Sequence, residues 1–193
     1  MADQKISAMP NASALTGDEL VPIVQSGANV KTTLSGFNGF TTNRIALIRT
    51  TTLTLVADTA TAISFDTTAF SQNISIANGS EITFAKAGQY LLSFDFQVQN
   101  ANNQIESIDF WVQLNGVNYA LSNVRYDVVE SHGGNAGRMV ASFSLPGIAA
   151  ANDMIEIFCA ATSEEVTLIA LGAQTSPARP STPAGVATIH QIG

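Results

Sequence analysis

Between Gly88 and Gln99 apolar and polar residues alternate: Tyr90, Leu92, Phe94, Phe96 and Val98 fall on one side of an extended chain, with Ser93, Asp95 and Gln97 on the other. A two-residue period marks a half-buried strand. Ile108, Phe110, Val112 and Leu114 repeat it and run into Asn115-Gly116, a pair that tolerates the positive backbone angles of a tight hairpin. The two runs read as neighbouring strands of one antiparallel sheet. The core is expected to hold Phe84, Tyr90, Leu92, Phe94, Phe96, Val98, Phe110, Val112, Leu114 and Ile157.

From about Thr41 onward the chain is rich in Thr, Ile, Val and Phe, residues that suit a pleated surface. Strand candidates are 53–56, 62–65, 73–76, 81–84, 89–99, 107–115, 117–121, 138–145, 154–160 and 166–171, with a last one over 186–192. This predicts an all-β, two-sheet sandwich over residues 41–193. Residues 172–185, with Pro177, Pro180 and Pro183, read as an irregular surface excursion. The runs 154–159 and 166–171 are apolar on both faces, so one face is expected to pack on a sister subunit.

Residues 1–40 differ in character. They carry Pro10, Pro22 and several glycines with no sustained period, yet keep apolar points at Ile6, Leu15, Leu20, Val21, Ile23, Val24, Leu34 and Phe37. Such a segment buries too little surface to fold alone and reads as an extended attachment arm that lies along a partner, with one helical turn over 32–37.

Composition narrows the class. Charged residues are 12%, with Lys+Arg 8 against Asp+Glu 15, a net charge of -7 and a pI near 4.6. That leaves no electrostatic footprint for nucleic acid or anionic lipid. No apolar run approaches the roughly 20 residues of a membrane span, so no membrane insertion is expected. The opening Met1-Ala2-Asp3-Gln4-Lys5-Ile6 lacks the basic-then-apolar order of a secretory signal, which points to synthesis in a cytoplasm. Asn11, Asn73 and Asn78 stand in Asn-x-Ser patterns that then read as polar turns, and the lone Cys159 as a small buried hydrophobe.

Candidate chemistry is thin. His132 and His190 are the bases available near neutral pH, and neither sits in a motif; the first reads as an exposed loop residue, the second as a strand residue. The acidic pairs Glu106/Asp109, Asp127/Glu130 and Glu164/Glu165 read as solvated strand ends, a loop and a hairpin tip rather than as a glycosidase pair. One Cys and two distant His exclude structural zinc. The oxygen-rich stretch 100–104 leaves calcium open, although no Asp-x-Asp pattern supports it. Neither catalysis nor a cofactor is expected. Trp111, Tyr119 and Tyr126 are candidate aromatic platforms for carbohydrate, with a subunit interface as the alternative for Trp111.

An apolar strand, then Gly88-Gln89-Tyr90 with alternating aromatics, then a strand ending in Leu114-Asn115-Gly116, resembles the jelly-roll heads of the complement-first-component and tumour-necrosis-factor-like superfamily. The resemblance covers roughly the last three quarters of the chain. Residues 147–153 resemble that family's Gly-Asp turn, with Asn152 where the glycine usually stands. The resemblance implies a jelly-roll β-sandwich and a homotrimer; some relatives bind calcium near the trimer apex. No Gly-X-Y run or heptad seam precedes the domain, so a collagen stalk is not expected.

Ile6-Ser7-Ala8-Met9-Pro10, then Leu15-Thr16-Gly17-Asp18-Glu19-Leu20-Val21-Pro22-Ile23-Val24-Gln25, then Lys31-Thr32-Thr33-Leu34, resembles the opening of many tailed-bacteriophage virion proteins. What it implies is a non-catalytic virion structural protein, made in the host bacterial cytoplasm and attached by its arm to the major capsid protein or another virion component. Two roles stay open. A capsid decoration (cement) protein is favoured, because no shaft gives reach and an arm of about 40 residues spans at most roughly 130 Å. The alternative is a short head or tail fibre, an adhesin for a host surface glycan or receptor.

Overall fold

The computed structural model describes the backbone of residues 20–25 and 28–33 and the whole of residues 43–193. The chain divides into two compact units, Met1–Thr41 and Thr42–Gly193. In chain order the strands begin with β1 (Leu20–Gln25), β2 (Ala28–Thr33), β3 (Arg44–Arg49), β4 (Leu53–Thr54), β5 (Thr61–Ala62), β6 (Thr67–Gln72), β7 (Ile74–Ala77), β8 (Glu81–Phe84) and β9 (Gly88–Asn100). They continue with β10 (Glu106–Leu114), β11 (Val117–Asn118), β12 (Val124–Val128), β13 (Gly137–Ala149), β14 (Met154–Ala161), β15 (Val166–Leu168), β16 (Gln174–Thr175), β17 (Ala178–Arg179) and β18 (Gly185–Gln191).

In the first unit β1 and β2 form an antiparallel hairpin, from Leu20 opposite Thr33 to Gln25 opposite Ala28. The sequence shows no sustained strand period over this stretch, yet it pairs. Pro22 interrupts any simple period, but pairing satisfies the backbone groups that an isolated extended chain leaves to water. Thr32 and Thr33 stand in β2 and not in a helical turn; residues 34–37 lie outside the described residues.

The second unit is two seven-stranded antiparallel sheets with the small separate hairpin β16-β17. One runs β11-β10-β14-β8-β7, with β12 also beside β10 and β5 beside β14; the other runs β4-β15-β9-β18-β3-β6, with β13 beside β9. The alternating runs β9 and β10 therefore lie in opposite sheets, which corrects their reading as neighbours. Alternation says that one row of side chains points inward; it does not say whether the facing row belongs to the same sheet. Phe96 stacks on Phe110 with ring centroids 5.0 Å apart and planes 7° apart, and Phe143 of β13 packs on Phe94 at 5.0 Å. The crossing is organised by Asn100, which is fully buried. Its Nδ2 donates to the carbonyls of Gln104 (2.9 Å) and Val128 (3.2 Å), and its Oδ1 accepts from the Asn102 amide (2.9 Å). A buried amide with these partners satisfied fixes the loop rather than weakening it.

Phe84, Tyr90, Leu92, Phe94, Phe96, Val98, Phe110, Val112 and Ile157 are buried in one cluster, with Leu114 half-buried against it. Strands β3, β6 and β12 lie outside the sequence-predicted set. Ile45, Ala46 and Leu47 of β3 are buried in succession, so that strand shows no alternation, and β6 is exposed throughout. The predicted strand 166–171 ends at Leu168, and 172–185 contain the small β16-β17 hairpin instead of being wholly irregular. On the second face of β14, Phe158 stacks at 5.7 Å on Trp111 of the neighbouring strand β10.

Gly185 stands opposite Phe96 in register, and the Phe96 ring leans over it. A methyl group at Gly185 would overlap that ring, lying 2.7 Å from Cε1. At Gly147 a methyl would meet nothing within 4 Å. We therefore expect Gly185→Ala to cost about 1–3 kcal/mol and Gly147→Ala to stay within about 0.5 kcal/mol in urea denaturation. Phe110→Ala, which empties the facing site, is expected to cost about 3–5 kcal/mol.

Candidate functional site

Inward-pointing Ile108, Phe110 and Val112 leave Asp109 and Trp111 on the outward side of β10. There they line a groove of ≈ 340 Å³ together with Asn118, Tyr119, Leu121 and Arg125. Strand β12 runs beside β10 with Arg125 opposite Asp109. The guanidinium grips the carboxylate in a fork, Nε to Oδ2 at 3.0 Å and Nη2 to Oδ2 at 2.8 Å, with Nε also 3.2 Å from Oδ1. Asn123 Nδ2 donates to Oδ1 at 2.8 Å. On the far side Asn118 Oδ1 accepts from both Trp111 Nε1 and Gln113 Nε2, each at 3.0 Å. The indole is thus held between Phe158 and an oriented amide.

The loop that closes the groove is fixed by a residue the sequence pattern did not single out. Ser122 is buried; its Oγ accepts from the Val112 amide (3.1 Å) and donates to the Tyr119 carbonyl (2.8 Å). Tyr119 N in turn donates to the Val112 carbonyl at 2.9 Å. The strand predicted over 117–121 therefore stops at Asn118, and Leu121 is carried on the loop with φ of 63° and 99% exposure. A bulky residue in the left-handed region is a genuine backbone outlier. A serine whose hydroxyl replaces a strand partner leaves no periodic signal.

A second surface lies on the other sheet. The outward rows of β9 and β13 carry small polar groups tied to one another sideways: Ser93 and Ser144 share a hydrogen bond of 2.9 Å, Ser142 donates to Asp95, and Arg138 Nε donates to Gln99 at 3.0 Å. Val140, Ile148 and Ile192 are exposed there or at its margin. Among the described residues β13 is an edge strand, paired with β9 alone over 13 residues.

The other sequence candidates fall as follows. His132 and His190 are exposed and sit on separate elements, a turn before β13 and the end of β18. Glu106 and Asp109 both lie within β10; Glu106 accepts from Asn102 Nδ2 at 2.7 Å. Asp127 stands in β12, where it accepts from Ser107 Oγ at 2.8 Å, and not in a loop with Glu130. Glu164 and Glu165 turn the chain from one sheet to the other, so they are not a hairpin tip. Tyr126 donates its hydroxyl to the Ser142 carbonyl at 2.8 Å and is no free platform. Among the described residues no group of three His, Cys, Asp or Glu side chains could hold a metal. Burial pushes the Cys159 thiol up to about 12, against the opposing charge of Arg49, which leaves it no nucleophile at neutral pH. Of the attachment residues, Leu20, Val21, Pro22, Ile23 and Val24 are on β1, while Ile6, Leu15, Leu34 and Phe37 lie outside the described residues.

No family model and no curated protein matches the chain. Among solved structures, murine APRIL at pH 5.0 aligns with a TM-score of 0.50 and 9% identity, over 78% of this chain and 99% of that one. The globular domain of zebrafish complement 1qA aligns at 0.45 and 11% identity, over 78% and 97%. The fold is an all-β, tumour-necrosis-factor-like jelly roll.

The Asp109 cluster gives a pH signature. Burial alone raises the pKa of this carboxyl, but the hydrogen bonds from Arg125 and Asn123, with the charge of Arg125, outweigh it and hold the group below the ordinary carboxylate range. A lowered folded-state pKa contributes stability above the unfolded value and loses it as pH falls through the folded one. Asp66 and Asp153 are lowered too, so stability is expected to fall below about pH 4. Asp109→Asn should make the urea midpoint fall less steeply over that range while leaving a slope from the other two. An unchanged slope would count against the cluster.

Proposed function

We propose that this chain is a non-catalytic virion structural protein: a homotrimer assembled through the outward face of the β13-β9-β18 sheet and attached to the particle by residues 1–40. The observation that carries the assembly is that face. Its serines are bonded to one another and to Asp95 across the strand pair, and Val140, Ile148 and Ile192 give it an apolar margin. Beside it runs the long edge of β13, an invitation to pairing that a closed symmetric assembly covers. Threefold symmetry is what the superfamily resemblance implies.

Attachment to a virion is supported by the order of Ile6 to Pro10, Leu15 to Gln25 and Lys31 to Leu34 in the first unit. A decoration protein clamping capsid subunits is the preferred role, since a jelly-roll unit and an attachment segment are what such a clamp needs. A short fibre or adhesin is the second reading, favoured by the groove at Trp111. It opens on the sheet opposite the proposed subunit face and stays accessible in such a trimer. No residue is assigned to catalysis.

Light scattering of the full chain at micromolar concentration is expected to give three 20.2 kDa chains, and the double variant Ser93→Arg/Ser144→Arg a folded monomer. A monomeric wild type would contradict the assembly. Attachment has its own test: replacing Leu20, Val21, Ile23 and Val24 with serine should keep the trimer but weaken particle binding steeply, because three linked segments act together. Full occupancy by that variant would move attachment onto the jelly roll. Particles lacking the protein should adsorb but lose heat resistance if it is a cement, and stay sturdy but fail to adsorb if it is an adhesin.

A further inference from the structure

We propose that the groove beside Trp111 binds a neutral sugar, a pyranose at the end of a glycan or within a polysaccharide. This deepens the adhesin reading but does not depend on where the protein sits. A pyranose has one apolar C–H face and a rim of hydroxyls that both donate and accept. The groove offers both complements. Trp111, Tyr119 and Leu121 form the apolar side, and the indole is held by Phe158 and Asn118 before any ligand arrives.

The polar side alternates donors and acceptors. Asn118 Oδ1 already accepts two hydrogen bonds, which leaves its Nδ2 to donate. Asn123 uses its Nδ2 on Asp109 and presents its Oδ1 as an acceptor. Arg125 uses Nε and Nη2 on Asp109 and keeps Nη1 for a second acceptor. Asp109 and Arg125 neutralise one another, and the chain carries a net charge of -7, so the chemistry suits a neutral sugar and not an anionic one.

A peptide is a poorer fit. β10 is paired with β14 on one side, and on the other β12 reaches Phe110 while Ser122 and Tyr119 take up the amide and carbonyl of Val112, which leaves no free edge for an added strand. The volume of ≈ 340 Å³ falls at the low end of small-ligand sites, about 300–1,000 Å³. Leu121 completes the case: a left-handed, fully exposed leucine on a loop locked by Ser122 is strain and apolar surface held in place ahead of binding.

The chain has one tryptophan, so its fluorescence reports this groove alone. The full chain is titrated with the methyl pyranosides of glucose, galactose, mannose, rhamnose, N-acetylglucosamine and N-acetylgalactosamine, each to about 50 mM. At least one is expected to give a saturable change in Trp111 emission with a millimolar Kd, unaltered by about 0.5 M NaCl. Asn118→Ala and Asn123→Ala, at exposed positions, should each weaken that binding by roughly tenfold or more while the chain stays folded by circular dichroism. No saturable response to any of the six, or a response that both variants leave intact, overturns the proposal, and stronger binding of methyl glucuronide than of methyl glucoside overturns its neutral-sugar assignment. Oligomeric state and particle attachment are read separately, so failure here leaves those tests standing.

Discussion

The second unit depends on one contact across the gap between its sheets: the ring of Phe96 lies flat on that of Phe110, 5.0 Å away, while its own edge leans over Gly185. Phe96 thereby joins three strands, β9 that carries it, β18 beside it and β10 opposite. Any side chain at position 185 would push the ring out of the stack, so the glycine on β18 is as much part of the core as the two phenylalanines. Phe94 and Phe143 extend the same layer along the sandwich, and Asn100 sets the point at which the chain leaves one sheet for the other. Once these are in place the two outward faces are determined, because side chains alternate along β9 and β10 and those between the inward-pointing ones must point the other way.

The strands that alternate were legible in the sequence. β9 and β10 could be read from Tyr90 to Val98 and from Ile108 to Leu114, and the hairpin after β10 from Asn115-Gly116, whose φ angles are 50° and 79°. Asn152, standing where the resembled family has glycine, takes φ of 69°, a conformation asparagine tolerates better than most residues. What alternation could not reveal was partnership. Two amphipathic strands look the same whether they pair edge to edge or face each other, and the difference is set by the short crossing that buried Asn100 organises. β3 was hidden for the opposite reason, since Ile45 to Leu47 are all buried and give no period. In the hairpin β1-β2, Pro22 masked the pattern that backbone pairing restores.

The candidate site was legible only as single residues. Trp111 and Tyr119 stood out as aromatics, and Tyr126 did so wrongly, since its hydroxyl is spent on the β13 edge. The groove exists because Arg125 falls opposite Asp109 across a strand pair and because Ser122 clamps the loop to Val112, and both are facts of register. On the apolar second face of β14, expected to mark a subunit contact, Phe158 stacks on Trp111 of the neighbouring strand. The surface proposed above for self-association is the serine-rich face of β9 and β13. Small polar side chains bonded to one another across a strand pair look unremarkable in a sequence, because the pairing is a fact of register.

These two faces divide the work proposed for the molecule, assembly on one sheet and recognition on the other. Hydrogen–deuterium exchange of the full chain, followed peptide by peptide over a range of concentrations that crosses assembly, tests that division most directly. Peptides spanning 138–149 should become protected as assembly proceeds, while those spanning 117–123 should exchange at an unchanged rate. Protection that appears in 117–123 and not in 138–149 would contradict it, because the groove would then be the contact surface and the edge of β13 would stand free.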